Sequence, residues 1–261
     1  MSRITEAFKD HKAFIAFLTG GDPDIETTEK LVPAMAEAGA DLIEIGIPFS
    51  DPIAEGTVIQ AADERALKSG CTTDKLFDMV TRIRKITDVP LLFMTYLNPV
   101  YVYGKEKFIS RCAECGIDGI IVPDMPFEEK DELAEICELN KIDLISMIAP
   151  TSEERITLIA KEAKGFIYCV SSLGVTGIRS NITTDIRKIV QNIREVTDIP
   201  CAIGFGISTP EQAGSMAKLS DGAIVGSAIV KLVAKYGKGS VKYVSEYVRS
   251  IKKGIADANN K

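Results

Sequence analysis

Three carboxylates, Glu44, Asp51 and Glu55, stand close together in residues 41–60, which read DLIEIGIPFSDPIAEGTVIQ. The apolar run at residues 42–47 is typical of a buried strand. Because side chains alternate along a strand, Glu44 shares its face with a leucine and a glycine and lies among apolar neighbours. An unpaired buried carboxylate is unfavourable and has a raised pKa, which suits a proton-transfer group. A core glutamate satisfied by a hydrogen bond is the alternative interpretation.

The segment after this strand, PFSDPIAEG, has a composition typical of a loop, with two prolines, a serine, an aspartate and a glycine. A helix is predicted to begin near Thr57. The loop therefore keeps Asp51 and Glu55 near the end of the strand that carries Glu44. Two carboxylates in different environments, one buried and one on a loop, can divide the acid and base roles of a reaction.

Strand-like and helix-like segments alternate along the whole chain and must position these acids. Eight strand candidates, each followed by a helix, lie at residues 13–19, 42–47, 91–95, 119–122, 143–148, 166–170, 201–204 and 222–225. This alternation predicts a parallel sheet. Eight units in 261 residues favour a closed α/β barrel, the (β/α)8 TIM barrel, over an open doubly wound sheet. We predict one domain over residues 1–261, with extra helices at residues 2–9, in the second unit and at the C-terminus.

Two glycine-containing loops follow the seventh and eighth strands, where barrel enzymes often bind phosphate. They read GFGIS, with Gly206, and VGSAIV, with Gly226 and Ser227. The second leads directly into a helix, whose N-terminus attracts an anion. A glycine after a strand is often needed only to form a turn, so neither loop alone indicates phosphate binding. The presence of glycine in both loops at these two positions favours it. Residues 171–181, SSLGVTGIRSN, form either a mobile lid or a solvated connection, and Gly177 could add a third N–H donor.

Other polar residues give weaker signals. Tyr168 in the sixth strand and Tyr96 after the third could hydrogen-bond a substrate or a buried carboxylate, although their spacing alone favours core packing. The CxxC pair of Cys112 and Cys115 falls in a helical stretch without a second pair, so it is structural and predicts no metal site. His11 is the only histidine and is predicted to be exposed. Acid–base chemistry therefore falls to carboxylates, tyrosine or lysine.

Composition excludes several functional classes. Apolar residues make up 46% of the chain and the formal net charge is -6, without a Lys/Arg cluster, which argues against nucleic acid as a partner. The first twelve residues are polar, unlike a secretory signal, and no apolar run approaches the ~18 residues of a transmembrane helix. The six scattered cysteines are expected to be reduced thiols in a cytoplasmic protein.

The order of several motifs resembles the tryptophan synthase alpha chain family. They are AFLTGGDPD (residues 16–24), IEIGIPFSDPIAEGTVIQ (43–60), TYLNP (95–99), VPDMP (122–126), LGVTG (173–177), GFGIS and VGSAIV. The resemblance implies a (β/α)8 barrel that cleaves indole-3-glycerol phosphate by a retro-aldol reaction into indole and glyceraldehyde 3-phosphate. It implies no cofactor in this chain. It also implies an alpha2beta2 heterotetramer, with pyridoxal phosphate on the beta chain, which joins indole to serine.

The same resemblance implies roles for individual residues. Glu44 would move protons at the indole C3 and the glycerol hydroxyl, Glu55 would engage the indole N–H, and Tyr168 would contact the catalytic group. The remaining implied residues surround the indole ring (Phe17, Ile121), form the lid (Thr176, Gly177), contact phosphate (Gly177, Gly206, Gly226, Ser227) or face the beta chain (Pro48, Asn98, Pro126 and the loop up to Glu55).

Three positions depart from the family pattern. Glu55 stands where the family usually has Asp, Thr57 where Pro is frequent, and Ser172 where some members have Arg. We expect Glu55 to remain functional because the charge and the loop are retained, although a small misplacement at such a site can reduce the rate by ~10²-fold. Two other functions stay open: a non-catalytic regulatory subunit that binds a phosphate ligand, and a different phosphate-binding barrel such as an isomerase or epimerase.

Overall fold

The computed structural model describes residues 2–170, 182–204 and 206–259. Within these residues, parallel strands form an α/β barrel, as predicted. The strand Ala13–Thr19 pairs with both Leu42–Gly46 and Gly222–Val225, and the two segments of the fifth strand pair with the strands on either side of it. The strands are Ala13–Thr19 (β1), Leu42–Gly46 (β2), Leu91–Met94 (β3), Gly119–Ile121 (β4), Asp143–Leu144 with Ser146–Ile148 (β5), Ile167–Val170 (β6), Cys201–Gly204 (β7) and Gly222–Val225 (β8).

The fifth strand differs from its prediction, which was one continuous strand at residues 143–148. It consists of two short segments on either side of Ile145. The first segment pairs with β4 and the second with β6. Ile145 itself donates its backbone N–H to the carbonyl of Ile120 at 2.9 Å. Hydrogen bonding around the barrel therefore passes through this short interruption.

Helices surround the barrel. The α-helices are Arg3–Glu6, Ile25–Glu37, Thr57–Lys68, Thr73–Ile83, Leu97–Tyr103, Lys105–Cys115, Asp131–Leu139, Glu153–Lys161, Ile182–Arg194, Pro210–Leu219, Ser227–Tyr236 and Ser240–Asn259, and short 3₁₀ turns lie at Phe127–Glu129 and Gly237–Gly239. The extra helices near the N-terminus, in the second unit and at the C-terminus are confirmed. The 3₁₀ turn Phe127–Glu129 directly precedes the α-helix Asp131–Leu139.

One helix, Leu97–Tyr103, is absent from the sequence-based expectations. Its residues are proline, tyrosines and β-branched valines, a composition with weak helical preference. Two features nevertheless support it. Its proline lies in the first turn, where a missing N–H is tolerated, and the carboxylate of Asp124 accepts the N–H of Leu97 at 2.9 Å.

Side chains on alternate strand positions divide into an interior cluster and an outer layer. Leu42 of β2 points inward and packs with Ile15, Leu92 and Ile224, whereas Ile43 and its neighbours of the same parity pack against the helices. This confirms the face assignment made for β2, and it places Glu44 on the interior face.

The cysteine and histidine side chains take the positions that the sequence predicts. All six cysteines are buried free thiols, and Cys112 and Cys115 lie in the helix Lys105–Cys115, so the structural interpretation of the CxxC pair is confirmed. His11 is exposed and contacts Asp41, as expected of a surface residue. In the described part of the chain, no group of three or more acidic, cysteine or histidine residues is arranged to hold a metal ion. The same part contains no helix with the length and hydrophobicity needed to cross a bilayer.

Candidate active site

Glu44 lies on β2 between Phe17 of β1 and Leu92 of β3. The residue has no exposed surface, and among the described residues no group donates a hydrogen bond to either carboxylate oxygen. Burial raises the pKa of Glu44 to about 8, so the carboxyl group holds its proton at neutral pH. The alternative of a core glutamate satisfied by a hydrogen bond therefore does not apply here. The arrangement is that of a group ready to donate a proton and take one back.

Tyr168 lies on β6, close enough to Glu44 that the glutamate charge affects it. Burial first, and the charge of Glu44 second, raise the pKa of the Tyr168 hydroxyl well above its ordinary value. Its ring occupies the space that a side chain on Gly204 of β7 would need, since a Cβ there would lie 2.5 Å from the Tyr168 hydroxyl oxygen. The absence of a side chain at Gly204 therefore leaves room for the Tyr168 ring.

Phe17 fills the space between the ends of β2 and β8. A Cβ on Gly46 would lie 2.8 Å from the ring, and one on Gly226 would lie 3.1 Å from it. Ile121, at the end of β4, is completely buried in the interior cluster. Both residues are thus on the interior face, where their apolar roles would require them.

Glu55 belongs to a second cluster, at the loop after β2. Its carboxyl group lies close to the carboxyl group of Asp63 and to the hydroxyl of Tyr96, and both affect its pKa. The Tyr96 hydroxyl accepts the backbone N–H of Ala54 at 3.0 Å, which ties the loop to the end of β3. Burial raises the pKa of Glu55, while the interactions with Asp63 and Tyr96 lower it. Glu55 and Glu44 thus occupy different environments, as the sequence predicts.

A cavity of about 730 Å3 lies at the carboxyl ends of the strands. Glu55, Met94, Tyr168 and Met147 are among its lining residues. Barrel enzymes bind substrates at this end, and the volume is within the range of small-molecule pockets. Tyr168 lines this cavity, and the charge of Glu44 affects the pKa of its hydroxyl. Tyr168 is therefore near both the cavity and the buried glutamate.

The two predicted phosphate loops lie at the same end of the barrel. Gly206 has a φ of +75°, a left-handed conformation that favours glycine, and the space where a side chain would stand is open. Gly226 caps the helix Ser227–Tyr236 without a side-chain hydrogen bond. By contrast, Thr209 caps the helix Pro210–Leu219 with a capping box. Of these two helices, the one at Ser227 therefore has the N-terminus that is free to bind an anion.

The residues expected at a partner surface differ in exposure. Asn98 and Pro126 are exposed, whereas Pro48 is buried in the isolated chain. The exposed part of that loop begins at Ser50 and includes Ile53, whose side chain is 80% exposed. Thr176 and Gly177, expected in the lid, lie outside the described residues.

Two polar residues of this region were missed at the sequence level. Asp63 is only 3% exposed, and its signal was a charge on the apolar stripe of its helix, in register with Ile59, Ala62 and Ala66. Thr19, at the end of β1, is buried, and its hydroxyl has no partner among the described groups. The sequence signal for Thr19 was a polar residue at the carboxyl end of β1, where barrel enzymes place their active sites.

The comparisons with known proteins assign this site to a family. The family model described as "Tryptophan synthase alpha chain" matches residues 5–258. The chain belongs to the tryptophan synthase alpha chain family. The alpha chain of Lacticaseibacillus casei is 49% identical over 255 residues, which are 98% of this chain and 96% of the relative. The alpha chain of Caldanaerobacter subterraneus is 47% identical over 97% of this chain and 99% of the relative.

Solved structures agree with the sequence relatives. The alpha subunit of tryptophan synthase from Legionella pneumophila superposes with a TM-score of 0.89 at 33% identity, covering 98% of this chain and 99% of that one. Tryptophan synthase from M. tuberculosis gives a TM-score of 0.87 at 29% identity, over 98% and 99% of the two chains. The barrel expected from the sequence is therefore confirmed.

Family membership fixes the activity. This alpha chain is an indole-3-glycerol-phosphate lyase of tryptophan biosynthesis. The alpha chain uses no cofactor, and pyridoxal phosphate belongs to the beta chain. The resemblance inferred from the motifs is thus confirmed.

Proposed function

We propose that Glu44 moves the protons of the retro-aldol cleavage and that Glu55 engages the indole N–H. Glu44 begins protonated, because burial raises its pKa to about 8, and gives its proton to the indole C3. The Glu55 carboxylate stabilises the positive charge that this step places on the ring nitrogen. The Glu44 carboxylate then removes the proton of the glycerol hydroxyl next to the scissile bond. The carbon–carbon bond breaks, its electrons return to the indole, and indole and glyceraldehyde 3-phosphate result.

The burial of Glu44 without a partner carries this proposal. A carboxyl group with no hydrogen bond from the protein is unfavourable, and nothing in the described packing offsets it. Tyr168 would orient the same group, and Phe17 and Ile121 would supply the apolar wall of the ring pocket. Tyr96 would help to position the loop that carries Glu55, because its hydroxyl accepts the N–H of Ala54.

The phosphate of the substrate would bind between Gly206 and the helix that begins at Ser227. Gly206 lets the backbone approach closely, and Gly226 leaves the helix N-terminus uncapped by a side chain. Thr176 and Gly177 remain proposed lid and phosphate contacts from the family pattern. Closure of a lid there would exclude water from the cleavage step.

Release of indole from indole-3-glycerol phosphate tests the catalytic proposal. We expect Glu44→Gln to reduce kcat by at least about 10²-fold, because it removes the proton donor and acceptor while conserving shape. Glu64→Gln is the matched control, since Glu64 is exposed on the helix Thr57–Lys68. Full activity of Glu44→Gln, with binding of the phosphate ligand and activation of the beta chain retained, would instead support a regulatory subunit.

We also propose that this chain pairs with a beta chain in an alpha2beta2 heterotetramer. Apolar side chains are exposed near the expected contact regions: Ile53 is 80% exposed, and Val102, in the helix that contains Asn98, is 81% exposed. Their location at both expected contact regions, and not their exposure alone, favours a surface that another protein covers. Pro126 would lie at the same surface.

Titration of the alpha chain with its beta chain tests this surface. We expect Ile53→Asp to weaken binding at least about tenfold, because it places a charge on the proposed apolar contact surface. Leu139→Asp is the matched control, since Leu139 is 77% exposed on another helix. Equal weakening by both substitutions would refute the assignment of the surface.

We further propose that residues 1–261 form one domain and that the protein is cytoplasmic. The barrel joins β1 to β8, and the helix Ser240–Asn259 packs against the helices Pro210–Leu219 and Ile25–Glu37. Six buried free thiols fit a reducing compartment.

A further inference from the structure

Asp63 is a buried acid that forms no ion pair with any of the described residues. It lies on the inner face of the helix Thr57–Lys68 and is 3% exposed. Arg65 lies two residues away but is engaged elsewhere, with two hydrogen bonds of 2.8 Å to the carboxylate of Asp22. A buried carboxyl group lowers the stability of the fold unless a contact with another group offsets the cost of its burial.

The contact is with Glu55. The two carboxyl groups lie close enough to share a proton, and the backbone N–H of Phe49 lies near Asp63. The Oδ2 atom of Asp63 and the Oε2 atom of Glu55 are both buried, and within the described residues neither receives an N–H or hydroxyl proton from another group. A hydrogen bond between two carboxyl groups requires that one of them is protonated.

The surrounding charges decide which of the two groups holds the proton. Burial and the adjacent Glu55 raise the pKa of Asp63 to about 9, and the charge of Asp22 adds to the effect. Arg65 partly neutralises Asp22. Tyr96, from the end of β3, stabilises the charged form of Glu55, and Asp124 acts on Tyr96. At neutral pH, Asp63 is therefore the donor and Glu55 the accepting carboxylate.

We propose that Asp63 is a positioning residue that holds the Glu55 carboxylate in place for the indole N–H. The proposal rests on the role proposed above for Glu55. A glutamate on a loop has three rotatable side-chain bonds, and its carboxylate needs fixed partners to keep one position. The Asp63 proton on one side and Tyr96 on the other supply those partners. Asp63 acts through Glu55 and does not touch the substrate.

Four variants test the proposal in the indole-release assay: Asp63→Ala, Asp63→Asn, Glu55→Gln and the double variant Glu55→Gln/Asp63→Ala. We expect Asp63→Ala to lower kcat by about ten- to a hundredfold, because Glu55 loses its fixed position. Asp63→Asn, whose amide still donates to Glu55, should stay within about threefold of the wild type at neutral pH. The double variant should be no slower than Glu55→Gln alone, because the two residues act through one another.

The pH profile separates positioning from a purely structural role. In the wild type, kcat/KM should fall in two steps as Glu44 (pKa about 8) and then Asp63 (pKa about 9) lose their protons. In Asp63→Asn only the first step should remain, since an amide does not titrate. Glu64→Gln, which changes the exposed neighbour of Asp63, should retain both steps.

The outcomes are distinct. Full activity of Asp63→Ala, losses that multiply in the double variant, or a two-step profile in Asp63→Asn would each overturn the positioning role. If Asp63→Ala does not fold, the profile of Asp63→Asn decides alone. If the wild type cleaves substrate and Glu55→Gln is fully active, the role of Glu55 fails. If Glu55→Gln is impaired while the Asp63 variants behave as the wild type, only the Asp63 inference fails.

Discussion

Replacing Glu44 by glutamine should abolish activity and, at neutral pH, make the folded alpha chain more stable. The reason is proton linkage. An unfolded chain releases the proton of a glutamate above a pKa of 4.5, whereas the folded chain keeps it up to about 8. Between these values the unfolded state binds fewer protons, so the free energy of unfolding falls by about 1.4 kcal/mol for each pH unit. The destabilisation is absent at pH values well below the unfolded pKa and is complete above the folded one.

The magnitude follows from these two pKa values. Ionisation of Glu44 in the unfolded chain lowers the free energy of unfolding by about 1.4 kcal/mol at about pH 5.5 and by about 4 kcal/mol at about pH 7.5. Glutamine does not titrate. Its second amide N–H, buried without a partner, changes stability by about 1–3 kcal/mol in the opposite sense at every pH. The advantage of Glu44→Gln over the wild type should therefore grow by about 2.5 kcal/mol across this interval.

Urea unfolding at the two pH values, followed by far-ultraviolet circular dichroism, measures the effect. Glu64→Gln is the control, because an exposed glutamate should leave the pH dependence unchanged. A difference between Glu44→Gln and the wild type that is the same at both pH values would refute the reasoning, since it would mean that Glu44 is ionised in the folded state.

Two further substitutions probe the neighbours of the site. Gly204→Ala should reduce kcat about tenfold, because its methyl group would lie 2.5 Å from the Tyr168 hydroxyl and displace the ring; unchanged steady-state kinetics would contradict this. Arg65→Ala should lower the free energy of unfolding by about 2 kcal/mol, because Asp22, only 2% exposed, would lose its bidentate partner, and Arg65 itself is partly exposed. Urea unfolding measures that loss, and a midpoint equal to that of the wild type would show that Asp22 is satisfied without Arg65.

Most of the barrel could be predicted from local sequence, because each strand carries an apolar run bounded by turn residues. The bounds of β1, β7 and β8 match their predictions completely. The interruption of β5 at Ile145 could not be predicted, since it depends on which neighbouring strand each half pairs with. The helix Leu97–Tyr103 was missed because its support from Asp124 comes from a different loop.

In the site, too, features that depend on neighbouring residues in sequence could be predicted, whereas contacts between distant residues could not. The inward parity of Glu44 could be read from alternation along β2, and the structure then adds that neither carboxylate oxygen has a hydrogen-bond partner among the described residues. Asp63 could not be linked to Glu55 from sequence, because an acid on an apolar helix stripe does not identify its partner. The burial of Pro48 was also unpredictable, since the burial of a loop residue depends on contacts that the sequence does not identify.

The loop after β2 places the largely exposed Ile53 and the partly buried Glu55 at the same cavity, only two residues apart. A two-residue separation leaves little backbone to absorb a change at either end. Directed evolution of a stand-alone lyase would therefore face a shared constraint: substitutions that make Ile53 suitable for solvent would also be selected for their effect on Glu55. Gene duplication followed by loss of the partner should leave correlated changes within this loop sooner than in the surrounding strands.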